Sequence, residues 1–101
     1  MFKAIIMLTR RADLSHEEFA HWWLEEHAPL ARQLPGVREI RFNLVDQSDD
    51  PPCDGISELW FDSVEDFMAA YATELGQRVA ADSLGMVRGR IRMPVVEHRI
   101  A

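Results

Sequence analysis

The sequence predicts an α+β fold in which helices cover one face of a four-stranded antiparallel sheet, and three observations predict it. An almost unbroken apolar run opens the chain. Two later stretches carry apolar residues at helical spacing behind a serine N-cap, at Ser15 and Ser63. The segments follow one another as β-α-β-β-α-β, with turn residues between them. At 101 residues and 48% hydrophobic content, the chain holds one domain, residues 1–101, with a core of ordinary size.

Residues 2–9 form the first predicted strand. Ile5, Ile6, Met7 and Leu8 are consecutive, which implies burial on both faces. Ser15 and Glu18 have the spacing of a capping box. Behind them Phe19, Trp22, Trp23, Glu26, Leu30 and Leu34 recur at helical intervals. Pro29 removes one hydrogen bond and clashes with the carbonyl of Glu25. A break near Ala28 is therefore expected, with Pro29 opening a short second segment that Pro35-Gly36 stops. Residues 37–45 read as a strand with Ile40, Phe42 and Leu44 on one side, and Glu39, Arg41 and Asn43 on the other. Residues 46–55 form a polar, mobile surface loop. Residues 56–61 are a third strand, with Leu59 and Phe61 on one face and Ile56 and Trp60 on the other. The helix after Ser63 uses Phe67, Met68, Tyr71 and Leu75 as its apolar side. A short helix from about 77 to 84 ends at Gly85 as C-cap. Residues 91–100 are the last strand, at an edge or bulge because of Pro94.

This order folds as the ferredoxin-like arrangement. It leaves an apolar outer sheet face, which predicts a homodimer packed sheet to sheet. The formal net charge of −6 excludes nucleic acid as a main partner, because phosphate contacts need a basic patch. The single cysteine, Cys53, cannot form an intrachain disulfide, which points to a reducing, cytoplasmic setting. The opening apolar run is too short for a membrane span and lacks the form of a signal peptide.

The pattern Phe19…Trp22-Trp23…His27-Ala28-Pro29-Leu30, followed by Leu34-Pro35-Gly36-Val37, resembles the EthD-like family of dimeric α/β-barrel proteins. That family is named after a protein associated with degradation of ethyl tert-butyl ether. Glu58-Leu59-Trp60-Phe61-Asp62-Ser63, Asp82 and Glu97 also fit, so the likeness spans nearly the whole chain. The resemblance implies a barrel made by two sheets, with a cleft between helices and sheet in each subunit. Relatives in this superfamily include lactone isomerases, polyketide cyclases, cofactor-free monooxygenases and haem-degrading proteins. In methylmuconolactone isomerases a histidine of this helix is held to be catalytic, and His27 matches it. Many members carry a tyrosine soon after the Pro-Gly, where this chain has Ile40.

His27 is the candidate catalytic residue. A helical wheel sets it at the rim of the buried stripe, where a side chain meets both cavity and solvent. Structurally, it would instead bond a backbone group freed by the proline. Trp22, Trp23, Glu26, Phe42, Trp60 and Phe61 are the candidate substrate-binding residues; the aromatic ones are equally good core residues. Glu58 or Glu97 would orient His27 across the fold, or else pair with Arg41, Arg90 or Arg92. His16 is expected on the surface of the first turn and about 16 Å from His27 along the axis, at ~1.5 Å per residue. His21 points to solvent, and His98 lies on the last strand. No His/Cys/Asp cluster has metal-ligand spacing, and Cys53 has no activating base. No cofactor and no metal are expected.

Two classes of function follow. One is a cofactor-independent enzyme of isomerase, cyclase or decarboxylase type, in which His27 moves a proton on a small cyclic or aromatic molecule. The other is a non-catalytic binding or accessory dimer using the same hollow. A third, haem binding or monooxygenase-like chemistry, rests on barrel relatives that use a helix histidine as axial ligand.

Overall fold

Side chains alternate along a strand, so a half-covered sheet sorts each strand into an inner and an outer row. The computed structural model describes residues 1–101. In it, β1 (Phe2–Arg10) turns Ala4, Ile6 and Leu8 inward, all buried. β3 (Gly55–Phe61) pairs antiparallel with β1, Leu59 opposite Ala4 and Ser57 opposite Ile6. β2 (Glu39–Leu44) and β4 (Val87–Val95) take the two edges in the order β2-β3-β1-β4, again antiparallel. The fold is the predicted ferredoxin-like α+β arrangement. Its inner face meets Phe19, Trp22, Trp23, Leu34, Phe67 and Val79 in one apolar core. No helix is long and apolar enough to cross a membrane.

The first helical layer changes type where the break was expected, and Pro29 stands in the first turn of a short second segment, but the chain stays helical across the junction. α1 (His16–His21) starts at the predicted capping box, where Ser15 Oγ accepts from the Glu18 N–H and Glu18 accepts from the Ser15 N–H. It runs straight into a π-helical segment (Trp22–His27) and then α2 (Ala28–Ala31). The backbone stays right-handed throughout, and the Ala28 N–H bonds the Trp23 carbonyl, five residues back. One wide turn thus changes the hydrogen-bond register immediately ahead of Pro29, where the helix would otherwise have to break.

Other boundaries also move. The second helix divides at Thr73. Its hydroxyl donates to the Ala70 carbonyl (2.6 Å) and accepts from the Gly76 N–H (3.0 Å). This ends α3 (Val64–Ala72) and starts α4 (Glu74–Leu84) ahead of residue 77. Met68 is exposed rather than part of the apolar side. Gly85 is the C-cap but stays right-handed, at φ −72°. β4 starts at Val87, opposite Arg10, and ends at Val95, opposite Lys3, so the predicted 91–100 is shifted. Pro94 sits inside this strand, which an edge tolerates. His98 lies beyond it, exposed.

The 46–55 loop is surface-lying for most of its length, but its end is anchored. Asp54 is buried and accepts from the Arg10 N–H, Arg10 Nη1 (2.9 Å each) and His16 Nδ1 (3.0 Å). Burial pushes this carboxyl up, and the bonds from Arg10 and His16 outweigh it, so its pKa lies below the ordinary value. His16 is therefore half-buried in an ion cluster, not free on the surface.

On the outer face, Ile5 and Met7 of β1 lie beside Ile91 and Met93 of β4 and Ile56 of β3. Ile91 and Met93 are exposed. Lys3 reaches between Glu58 and Glu97, 2.8 Å from each, and over the Trp60 ring at 4.5 Å. The bonds to Glu58 and then Glu97 hold the Lys3 ammonium above its ordinary pKa. Both carboxylates expected to orient His27 are thus committed to Lys3 on the opposite side of the sheet.

Candidate active site

The wide turn decides which side chain of the first helical layer faces inward. At 3.6 residues per turn, Glu26 follows Trp22 and Trp23 on the buried side. With hydrogen bonds closing over five residues, the inward place passes to His27. Glu26 is exposed, whereas His27 is 6% exposed. The buried positions Phe19, Trp23, His27 and Ala31 recur every fourth residue, wider than an α-helical stripe. Glu26 is accordingly removed from the site, and His27 lies inside it rather than at its rim.

Aromatic rings fix the imidazole. Trp22 is 4.9 Å away between centroids, and Phe42 is 6.1 Å away and near parallel. Phe42 is in turn stacked on Trp23 at 4.4 Å with 6° between the planes. This stack needs a bare backbone beneath it. A Cβ on Gly55 would lie 2.7 Å from the Trp23 ring, so a glycine there lets the indole seat on the sheet. Phe61 is fully buried in the same core, but its ring pairs with Phe67, at 5.4 Å between centroids, and not with His27. Trp60 is on the outer face with Lys3. Of the six expected binding residues, the structure brings Trp22, Trp23 and Phe42 to His27. It places Glu26 in solvent, Phe61 in the core and Trp60 behind the sheet.

The orienting carboxylate comes from α4. His27 Nδ1 and Asp82 Oδ2 are 2.8 Å apart. A carboxylate only accepts, so Nδ1 carries the proton and Nε2 is left as a base. Burial lowers the His27 pKa below its ordinary 6.5, aided by the Arg90 charge and opposed by Asp82. The imidazole is therefore neutral at pH 7, the state a proton acceptor needs.

That shift fixes a sign for stability. Below about pH 6.5 the unfolded chain binds a proton at His27 that the folded chain refuses, so stability falls as pH falls toward the folded pKa. Wild type should lose stability relative to His27→Gln on acidification from pH 7 to about pH 5, in urea titrations at each pH. The depressed carboxylates titrate from 4.5 downward, outside most of this window.

Beside His27 lies a small cavity of about 20 Å³, lined by Phe42, Leu59, Tyr71, Ser57, Ser83 and Arg90 among others. This is room for about one water. Burial holds the Tyr71 phenol above its ordinary pKa, against the pull of Arg90 and Arg92. Burial likewise lowers the Arg90 guanidinium, though an arginine stays charged at neutral pH. A larger open groove of about 530 Å³ runs between the helical layer and β2, lined by Leu24, Ala28, Val37, Ile40 and again Phe42, together with the charged Arg32, Arg38 and Glu39. Phe42 thus stands in the wall of both. Ile40, where the family tyrosine was expected, lines only the groove; the phenol of this site is Tyr71.

Asp82, Tyr71 and Arg90 escaped the sequence reading as site residues. Asp82 was noted only as a family match. Arg90 is inward because β4 begins at Val87, which places it opposite Leu8. No three His, Cys, Asp or Glu side chains converge as a metal site. Cys53 is buried, and burial with the neighbouring Asp54 charge raises its thiol pKa.

The EthD domain profile matches residues 11–89. The chain belongs to the EthD domain family. Over 95 residues it is 27% identical to an "Uncharacterized 11.0 kDa protein in thcB-thcC intergenic region" of Rhodococcus erythropolis, covering 92% of this chain and 90% of that one. Among solved structures, an EthD family protein from Bacillus halodurans c-125 superposes with a TM-score of 0.82 at 21% identity, covering 97% of this chain and all of that one (100%). A dimeric ferredoxin-like protein of unknown function from Thermobifida fusca yx gives 0.77 at 11% identity, covering 95% and 90%. Hydroxynitrile lyase from Passiflora edulis gives 0.76 at 12% identity, covering 99% and 95%. At these identities the structures share the fold with this EthD domain, and fold does not choose among chemistries.

Proposed function

We propose that this EthD protein is a small cofactor-independent enzyme in which His27 takes a proton from a carbon acid and returns it, as isomerisation, cyclisation or lyase chemistry requires. The single observation that carries this is the 2.8 Å contact between His27 Nδ1 and Asp82 in a buried aromatic setting. A neutral imidazole whose tautomer is fixed by a carboxylate is a competent general base. Trp22, Trp23 and Phe42 hold the ring and supply an apolar wall. The substrate enters from the open groove when the Phe42 ring moves, since that ring is the shared wall of groove and cavity. A hydroxynitrile lyase on the same fold supports lyase-type chemistry as within the scaffold's reach.

The same proposal makes the protein a homodimer through the outer faces of its sheets. The apolar rows of β1 and β4 support this, as does the dimeric protein sharing the fold. The unpaired, buried Cys53 suits a cytoplasmic setting. Sedimentation should give twice the chain mass for wild type and a monomer for Ile91→Asp. A monomeric wild type would overturn the dimer.

The enzymatic proposal is tested by incubating the protein in D₂O with a panel of small ketones and keto acids. Loss of α-proton signals by NMR above the buffer rate is expected for the substrate-like members. Ligand binding without exchange anywhere in the panel would favour a carrier instead.

A further inference from the structure

Arg90 is the one cation among the buried, unpartnered donors of the site, beside the indole N–H groups of Trp22 and Trp23. Its side chain turns inward from β4, opposite Leu8, into the cavity shared with His27 and Tyr71. Its Nε is buried with no hydrogen-bond partner. Three carboxylates of this region are engaged elsewhere: Asp82 with His27, and Glu58 and Glu97 with Lys3 behind the sheet. Arg90 as a whole is half-buried; a partly desolvated cation without a counter-ion is unfavourable, and in a cleft such a group marks recognition of an opposite charge. Arg92 does not duplicate it, since its guanidinium lies over the Phe67 and Tyr71 rings at 5.1 and 5.8 Å.

Building on the proton transfer proposed above, we infer that Arg90 is the specificity-determining cation of the site and that the substrate is a small enolisable organic acid. Its carboxylate or enolate oxygen sets against the guanidinium while its acidic C–H faces His27 Nε2. The guanidinium fork matches a carboxylate with two parallel N–H bonds. In the chemical step the C–H bond breaks and the proton goes to Nε2. The electron pair moves into the new C=C bond, and negative charge gathers on the carbonyl oxygen. Return of the proton from Nε2 restores the imidazole, so no oxidant or co-reactant is needed. The protonated phenol of Tyr71, which also lines the cavity, supplies a second donor.

Two probes separate charge from shape: phenylpyruvate, and phenylacetone, which keeps the ring and ketone but has no carboxylate. Binding is read from tryptophan fluorescence and exchange from NMR in D₂O. Wild type should bind phenylpyruvate more tightly than phenylacetone by roughly 10- to 100-fold, the worth of one charge-assisted hydrogen bond. Arg90→Gln and Arg90→Met should erase that preference, and Arg90→Lys should keep part of it; thermal unfolding of each variant checks the fold. Equal affinity for the two probes, a preference that survives both neutral variants, or binding of neither probe overturns the inference. The underlying proton transfer fails separately. An Arg90-dependent preference without exchange in wild type removes the catalysis and keeps the anion site. Exchange that depends on His27 with a preference indifferent to Arg90 does the reverse.

Discussion

His27→Gln should lower α-proton exchange by roughly 10²- to 10⁴-fold, the usual worth of a positioned general base, and leave the proposed dimer intact. Glutamine keeps a polar group against Asp82 and fills much of the same space, but its amide has no basic lone pair at neutral pH. Asp82→Asn is the companion variant. Asp82 accepts from Nδ1 over 2.8 Å, whereas an asparagine amide can donate there and move the imidazole proton to Nε2. The ring would stay in place with its base blocked, so exchange should fall within the same range as for His27→Gln. A drop in melting temperature with exchange unchanged in both variants would show a structural histidine and remove the catalytic role.

This pair of variants also tests the π turn. His27 sits inward only because the hydrogen bond from Ala28 reaches back to Trp23. Sequence patterning assumes 3.6 residues per turn, and that assumption turned Glu26 inward and His27 toward the rim. The spacing of Phe19, Trp23, His27 and Ala31 by fours held the contrary signal, and Pro29 supplied the reason for a local change of helix type. The sheet was more legible. Period-two patterning separated Leu59 and Phe61 from Ile56 and Trp60 correctly, because side-chain direction in a strand depends on one bit of register. What patterning does not carry is distance between elements. It offered Glu58 and Glu97 as partners for His27, while the carboxylate that arrives is Asp82, 55 residues from it in the chain. Trp60 illustrates the same limit: an aromatic strand residue reads as pocket wall until its face is known. Arg90 was hidden by the start of β4, since a strand beginning at 91 leaves it outside the sheet.

Gly76→Ala should destabilise the fold by more than about 3 kcal/mol, beyond the usual range for overpacking a core site. A methyl carbon there would lie 2.1 Å from the Ala70 carbonyl oxygen and 2.5 Å from the Tyr71 Cα. Both are backbone atoms of α3, so no side-chain rotation relieves the clash. The elbow between α3 and α4 must open instead, breaking the Thr73 hydroxyl's bonds to Ala70 and Gly76. At about 4–8 °C per kcal/mol for a domain of 60–100 residues, the melting temperature should fall by more than about 12 °C in calorimetry. A loss below about 1 kcal/mol, within the ordinary cost of a mild overpacking, would mean that the two helices approach less closely than described. The elbow also bears on the chemistry, because α3 carries Tyr71 and α4 carries Asp82. Forcing the helices apart moves the phenol and the carboxylate relative to each other, so exchange measured well below the melting point should fall as well. Gly76 touches neither His27 nor the cavity, yet it sets the spacing on which the site depends.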